Sequence, residues 1–305
     1  SDVCSSDLPG AEEMLDDAEI AVRHAKRGGG NRIEVFRPAM RAQRADRTTM
    51  ETDLRRALER SEMKVFFQPI VRLEDRTIAG FEARLRWDHP RLGRLEPSQF
   101  MPLAEETGLV VDLGLMALER TARELSAWQR ALAVDPPIFA TVGVSSRQLL
   151  RHDLLRDVKS VMMRNTVLPG SLKLAMTEGL VMENPEFAAQ MLERLKELGA
   201  GLVLDEFGVG YSSLAFLQRF PFDSVKINRT LVKQNDNPSR PVILRSVITL
   251  ARDLGMDVVA EGAETESDAI ELYQLGCGFA EGSAFGRPIS SPEARRLVGA
   301  TPEAA

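Results

Sequence analysis

The chain has 305 residues, 44% hydrophobic and 28% charged, with a net charge of −6. That balance suits a large α/β domain of about 250 residues with a smaller piece attached, and it excludes a disordered chain. The acidic balance argues against non-specific nucleic-acid binding, the scattered His24, His89 and His152 against an imidazole metal centre, and the lone Cys4 and Cys277 against a disulfide framework.

Cysteine usage points to a reducing, cytoplasmic setting. No apolar run approaches the roughly 20 residues of a membrane span, and the N-terminus has no signal-peptide core. No membrane segment is therefore expected within these residues, which would also suit the cytoplasmic part of a membrane-anchored sensor.

Residues 1–10 carry no periodicity and are assigned no fold, as a cloning remnant. From 11 to 26 the spacing predicts an amphipathic helix with Met14, Leu15, Ala18, Ile20, Ala21, Val22 and Ala25 near one face, ended by Gly28, Gly29 and Gly30. Residues 32–36 read as a short strand. One helix and one strand cannot bury a core, so 1–42 is taken as the end of a truncated upstream domain. A basic, solvated linker helix follows over 43–63.

From Lys64 short apolar strands alternate with amphipathic helices. Strands are expected at 65–71, 78–85, 139–144, 172–177, 201–204, 224–227, 258–260 and 278–280. Helices are expected at 102–113, 115–130, 148–164, 185–198, 212–218, 241–254 and 264–275. Eight strands predict an α/β fold, a (β/α)8 TIM-like barrel over 64–298 with a tail at 299–305. Chemistry in such a barrel gathers at the carboxyl ends of the strands. There stand Glu82, Gly143, Ala175, Asp205 with Glu206, Lys226 with Asn228, Glu261 and Glu281. The stretch 201–214 runs from a buried strand through Asp205 and Glu206 to a turn with Gly208 and Gly210, and Ser212 and Ser213 can cap the next helix. Two acids at the end of a buried strand cost stability unless a cation, a proton or a basic residue meets them. Any metal would be held by oxygen.

Seven blocks, in order, carry a resemblance: Phe67-Gln-Pro-Ile70, Phe81-Glu-Ala-Arg-Leu-Arg-Trp-Asp-His-Pro90, Met101-Pro-Leu-Ala-Glu-Glu-Thr-Gly108, Asp205-Glu-Phe-Gly-Val-Gly-Tyr-Ser-Ser213, Val225-Lys-Ile227, Val259-Ala-Glu-Gly262 and Phe285-Gly-Arg-Pro288. From about Glu51 to Val298 the sequence resembles the EAL-domain cyclic-di-GMP phosphodiesterases. Residues 10–42 resemble the carboxyl end of a GGDEF domain, with Glu19 where that family has an aspartate.

The resemblance implies hydrolysis of cyclic-di-GMP to linear pGpG with two Mg²⁺ or Mn²⁺ ions, and a homodimer through the barrel. By position Glu82, Asp205, Glu206 and Glu261 match metal ligands, although Glu206 replaces an aspartate. Lys226 matches the lysine beside the attacking water, and Gln68, Arg86 and Glu264 lie near the nucleotide. Departures accumulate at the same site. Gly143 and Ala175 replace a ligating Asn and Glu, Asn228 replaces an Asp, Glu281 a Gln, Val209 a Thr, and Arg84 the leucine of the signature. On one strand Glu82, Arg84 and Arg86 share a face, so Arg84 either pairs with Glu82 or snorkels to solvent.

Losing ligands and gaining a cation disfavours two bound metals. The expectation is a degenerate EAL domain with Lys226 and Glu261 as vestigial catalytic groups, acting as a cyclic-di-GMP receptor or a regulatory interaction domain. Arg86 and Lys226 are the cations expected to meet the phosphates. No cofactor is expected, with Mg²⁺ or Mn²⁺ only if the site is active. The alternatives are an active phosphodiesterase with an altered metal site and a pure protein-interaction module; neither names a protein partner.

Overall fold

The computed structural model describes residues 11–27, 31–151, 153–208, 214–233 and 239–299. They belong to two compact units, Ser1–Arg60 and Ser61–Ala305. The first holds α1 (Ala11–Arg27) and α2 (Pro38–Glu59). Helix α2 starts ahead of the expected position 43, because Pro38 occupies its first turn, where a missing N–H costs nothing. On α1 only part of the expected apolar face is covered: Ile20 and Ala21 are buried, whereas Met14, Leu15 and Val22 are exposed. The expected strand at 32–36 is absent. Residues 33–37 have no regular structure, and Ile33 and Val35 are exposed. A strand without a neighbour leaves its N–H and C=O groups to water.

In the second unit β1 (Met63–Arg72) and β2 (Ile78–His89) form a long antiparallel hairpin, and β3 (Gly93–Leu95), not expected from the sequence, folds back on the end of β2. Then come α3 (Pro97–Thr107), α4 (Val110–Ala131), β4 (Phe139–Gly143), α5 (Ser146–Leu149) and α6 (Asp153–Asn165). The middle of the unit is β5 (Leu172–Thr177), α7 (Glu178–Met182), α8 (Pro185–Glu197), β6 (Gly201–Phe207) and α9 (Leu214–Arg219). Strand β7 (Ser224–Ile227), α10 (Arg229–Val232), α11 (Arg240–Asp253) and β8 (Asp257–Glu261) follow, with α12 (Glu266–Gln274), β9 (Phe279–Glu281) and α13 (Ser291–Gly299) at the end.

Eight strands close a barrel in the order β1, β2, β4, β5, β6, β7, β8, β9 and back to β1. Strand β1 is antiparallel to both neighbours, unlike the uniform (β/α)8 pattern. The short turn between β1 and β2 explains this, since a parallel neighbour needs a crossover of a dozen residues or more. The expected helix break between 113 and 115 falls instead at Gly108, whose φ of +80° ends α3 in the left-handed conformation. The expected helix at 148–164 is two pieces, α5 and α6. Ser212 and Ser213 lie outside the described residues, as do Gly28 to Gly30, Val209 and Gly210.

Two apolar layers position the site. Outside the strands, Trp128 of α4 packs on Phe67 and Phe81 at ring distances of 4.9 and 4.6 Å, within a shell of buried aliphatic residues. Inside, Ile70, Ala79, Phe139 and Val259 form a small plug with Phe279 against it. Lys173 Nζ sits 4.3 Å from the Phe139 ring centre and donates to Ser224 Oγ at 2.8 Å. Side chains two apart on a strand share a face. Two residues beyond Val259, Phe279 and Ser224 the inward positions are therefore Glu261, Glu281 and Lys226, and the barrel interior changes from apolar to ionic within one pleat.

Candidate functional site

Five strands place charges at this level. Lys226 Nζ lies 2.5 Å from Glu82 Oε2, 2.8 Å from Glu281 Oε1 and 3.9 Å from Asp205 Oδ1. Arg84 Nη2 lies 2.9 Å from Glu82 Oε2 and 3.2 Å from both Glu261 Oε1 and Glu281 Oε1. Of the two readings open for Arg84 the geometry selects pairing. It pairs with two further carboxylates as well, on β8 and β9, which strand periodicity could not reveal.

The titration directions follow from this packing. Burial alone would raise Glu82, but Lys226 and then Arg84 outweigh it and hold the carboxyl well below its ordinary range. Glu281 goes the other way, pushed up by burial and then by the charge on Glu82. A side-chain hydrogen bond joins Glu281 to Glu82, in which a proton on Glu281 makes it the donor, and among the described residues its buried Oε2 has no hydrogen-bond partner. Burial also raises Asp205, because Lys226 is too far away to compensate fully. Burial disfavours the charges of Lys226 and Arg84, yet the surrounding carboxylates hold both above their ordinary values.

The other expected site residues are more dispersed. Gln68, buried on β1, donates from Nε2 to Gly286 O at 2.9 Å. Arg86 does not join the carboxylates: Nη2 pairs with Glu96 at 2.9 Å and Nη1 donates to Leu85 O at 2.8 Å. Glu264 is engaged by Arg229 at 2.5 Å and by Lys233 at 3.6 Å. Glu206 is exposed at a φ of +56°, where the pairing of β6 with β7 slips. This bulge separates the two acids, and Asp205 Oδ1 accepts from the Glu206 N–H at 2.7 Å. Asn228 caps α10, its Oδ1 accepting from the N–H and the hydroxyl of Thr230 at 2.8 Å.

Gly143 and Ala175 leave space. A Cβ at Gly143 would meet nothing within 4 Å, and both residues line a cavity of about 290 Å³ under α3 and α4. On the other side of Arg84 a wider mouth of about 500 Å³ is lined by Gln68, Arg86, Glu96, Arg229, Glu261 and Glu264, among others. Arg229 and Glu96 were not singled out from the sequence. Arg229 follows the end of β7 by two residues, the signal that could have found it.

This donor set does not fit a pair of divalent ions. A guanidinium nitrogen already contacts Glu82, Glu261 and Glu281, an ammonium contacts two of the same acids, and Gly143 and Ala175 bring no donor. Among the described residues no group of three His, Cys, Asp or Glu side chains is arranged to hold a metal.

The pattern of the EAL domain matches residues 51–288. The chain belongs to the EAL-domain family. The bifunctional diguanylate cyclase/cyclic di-GMP phosphodiesterase MucR of Pseudomonas aeruginosa is 35% identical over 282 residues, covering 92% of this chain and 41% of MucR. This EAL chain thus spans about two fifths of that relative. Among solved structures, the MucR phosphodiesterase in complex with c-di-GMP superposes with a TM-score of 0.76 at 34% identity, over 81% of this chain and 99% of the other. The EAL enzyme Bd1971 in its cAMP- and cyclic-di-GMP-bound form gives a TM-score of 0.79 at 26% identity, over 96% and 77%. No described helix is long and apolar enough to cross a membrane.

Proposed function

We propose that this EAL domain works in cyclic-di-GMP signalling as a receptor that binds the dinucleotide without hydrolysing it. The observation that carries the reading is Arg84 Nη2, within 3.2 Å of carboxylates from β2, β8 and β9. The oxygens that would gather divalent cations already neutralise a fixed cation, and a charge-assisted pair in a partly buried site is costly to break. Lys226, which a hydrolytic site would need beside the attacking water, is 5% exposed and engaged by two acids. The nucleotide in the MucR and Bd1971 complexes and the open mouth beside Arg84 support binding.

The name of MucR favours a second reading, an active phosphodiesterase with an altered metal site. One experiment separates the two. The purified chain is incubated with cyclic-di-GMP and Mg²⁺ or Mn²⁺, and the products are resolved by chromatography. The expected result is unchanged substrate. Linear pGpG formed in proportion to protein, and abolished by Glu82→Ala, overturns the receptor reading.

A further inference from the structure

The cations of the mouth fall into two classes. Those on the floor are locked: Arg84 serves three acids and Lys226 two at close range, and both hold the buried, ionised Glu82, so offering either to a phosphate would take a cation from it. Lys226, expected from the sequence to meet a phosphate, does not line the wide mouth at all. Arg86 and Arg229 are different. Each stands on the wall of the 500 Å³ mouth and is held there by one solvent-facing carboxylate, Glu96 at 55% and Glu264 at 41% side-chain exposure. The Arg229–Glu264 pair, exposed on both sides, contributes little, and the Arg86–Glu96 pair is screened on its carboxylate side.

Both arginines are also pre-positioned. The stem of Arg229 lies on Gly262, where a Cβ would come within 2.6 Å of Arg229 Cγ and where φ is +89°. Arg86 is only 11% exposed and anchored to Leu85 O, and burial pushes its guanidinium below the ordinary value, a sign of a cation short of compensating charge. If Arg229 turns to an incoming anion, Glu264 keeps Lys233 as a partner.

We propose that the phosphates of the nucleotide are received at the rim of the mouth by Arg86 and Arg229, not on the barrel floor, which makes Arg229 a ligand-binding residue. This rests on the receptor reading above. A planar guanidinium fork suits a phosphodiester, and the swap exchanges a screened carboxylate for a charge-assisted phosphate contact.

The test is calorimetric titration of the parent, Arg229→Ala and Arg229→Lys in EDTA, with cyclic-di-GMP and separately with linear pGpG. Arg229 is 63% exposed, so the variants should fold, and thermal melts check this. The expected result is a loss of affinity of fivefold or more in Arg229→Ala, partly restored in Arg229→Lys. If the parent binds cyclic-di-GMP and Arg229→Ala loses less than fivefold, the rim assignment is overturned and the receptor reading stands. If the parent binds only pGpG and Arg229→Ala loses it, the rim assignment stands and the cyclic receptor reading fails. Binding of neither nucleotide overturns both.

Discussion

Arg84 Nη2 stands 2.9 Å from Glu82 Oε2, one pleat further along the same strand, and the same nitrogen reaches across the barrel to Glu261 and Glu281 at 3.2 Å. One side chain thereby ties β2 to β8 and β9. Replacing it by leucine removes the charge that three acids share, while Lys226 still holds two of them. Breaking a buried pair typically costs about 3–5 kcal/mol. Arg84 is about a third exposed, so solvent screening reduces the expected loss for Arg84→Leu to roughly 2 kcal/mol. Because Lys226 keeps Glu82 and Glu281, the acid that loses its basic partner is Glu261, and adding Glu261→Gln to Arg84→Leu should recover much of the loss. Urea unfolding of the four variants in EDTA measures this. A single Arg84→Leu variant as stable as the parent would show that the network does not hold the barrel together.

The pH dependence has a definite sign. Burial and the neighbouring Glu82 push Glu281 from 4.5 up to about 8 in the folded chain. A folded value above the unfolded one means that the folded chain holds a proton the unfolded chain releases. This contribution to stability is complete below about pH 4.5 and is lost as pH rises toward 8. Glu82, held low, acts only at more acidic pH and does not interfere in that window. Glu281→Gln should therefore flatten the decline in unfolding free energy between pH 5 and 8, a decline of up to about 1.4 kcal/mol per unit from one group. Parallel urea series for parent and variant decide it; equal slopes count against a protonated Glu281.

Much of the barrel was legible because its strands are short apolar runs, and 172–177 and 224–227 coincide with β5 and β7. Where a boundary depends on backbone conformation, apolar spacing was silent, as with the stop at Gly108 and the bulge at Glu206. At 32–36 local composition suggested a strand that no partner completes. Within the site, Glu82 with Arg84 could be read from the two-residue period of a single strand. Arg84 with Glu281 could not, since the pair is 197 residues apart in sequence and the contact exists only once the barrel closes. Asn228, which stands where the resemblance implies an Asp, caps α10, a role any short polar side chain at a helix start can take.

Nucleotide affinity should be indifferent to chelation. If Arg86 and Arg229 carry the phosphate contacts, adding EDTA to a titration with cyclic-di-GMP leaves the Kd within about threefold, a difference near 0.7 kcal/mol. The same arginine contacts predict weaker binding as salt rises, because both groups lie close to solvent. A tenfold loss on chelation, about 1.4 kcal/mol, would mean that a divalent ion bridges protein and phosphate, and the fixed-cation account of the floor would fail.

Oxygen ligands can be returned to the floor by substitution. A Cβ at Gly143 meets no atom within 4 Å, its backbone is not left-handed, and Ala175 shares the same 290 Å³ cavity, so larger side chains fit at both positions. In a triple variant Gly143→Asn, Ala175→Glu and Arg84→Leu, oxygen donors are added and the guanidinium that competes for Glu82 and Glu261 is gone. A hard divalent ion then has the carboxylate-rich surroundings it needs, and binding to the folded state alone raises the melting temperature. The triple variant should melt roughly 3 °C or more higher in Mn²⁺ than in EDTA, and the parent by less than about 1 °C. Because Arg84→Leu alone leaves Gly143 and Ala175 without donors, it should respond weakly, which separates removal of the cation from supply of ligands. If the parent responds to Mn²⁺ as strongly as the triple variant, then Arg84 does not exclude the metal, and the carboxylates of β2, β8 and β9 remain available to it with the guanidinium in place.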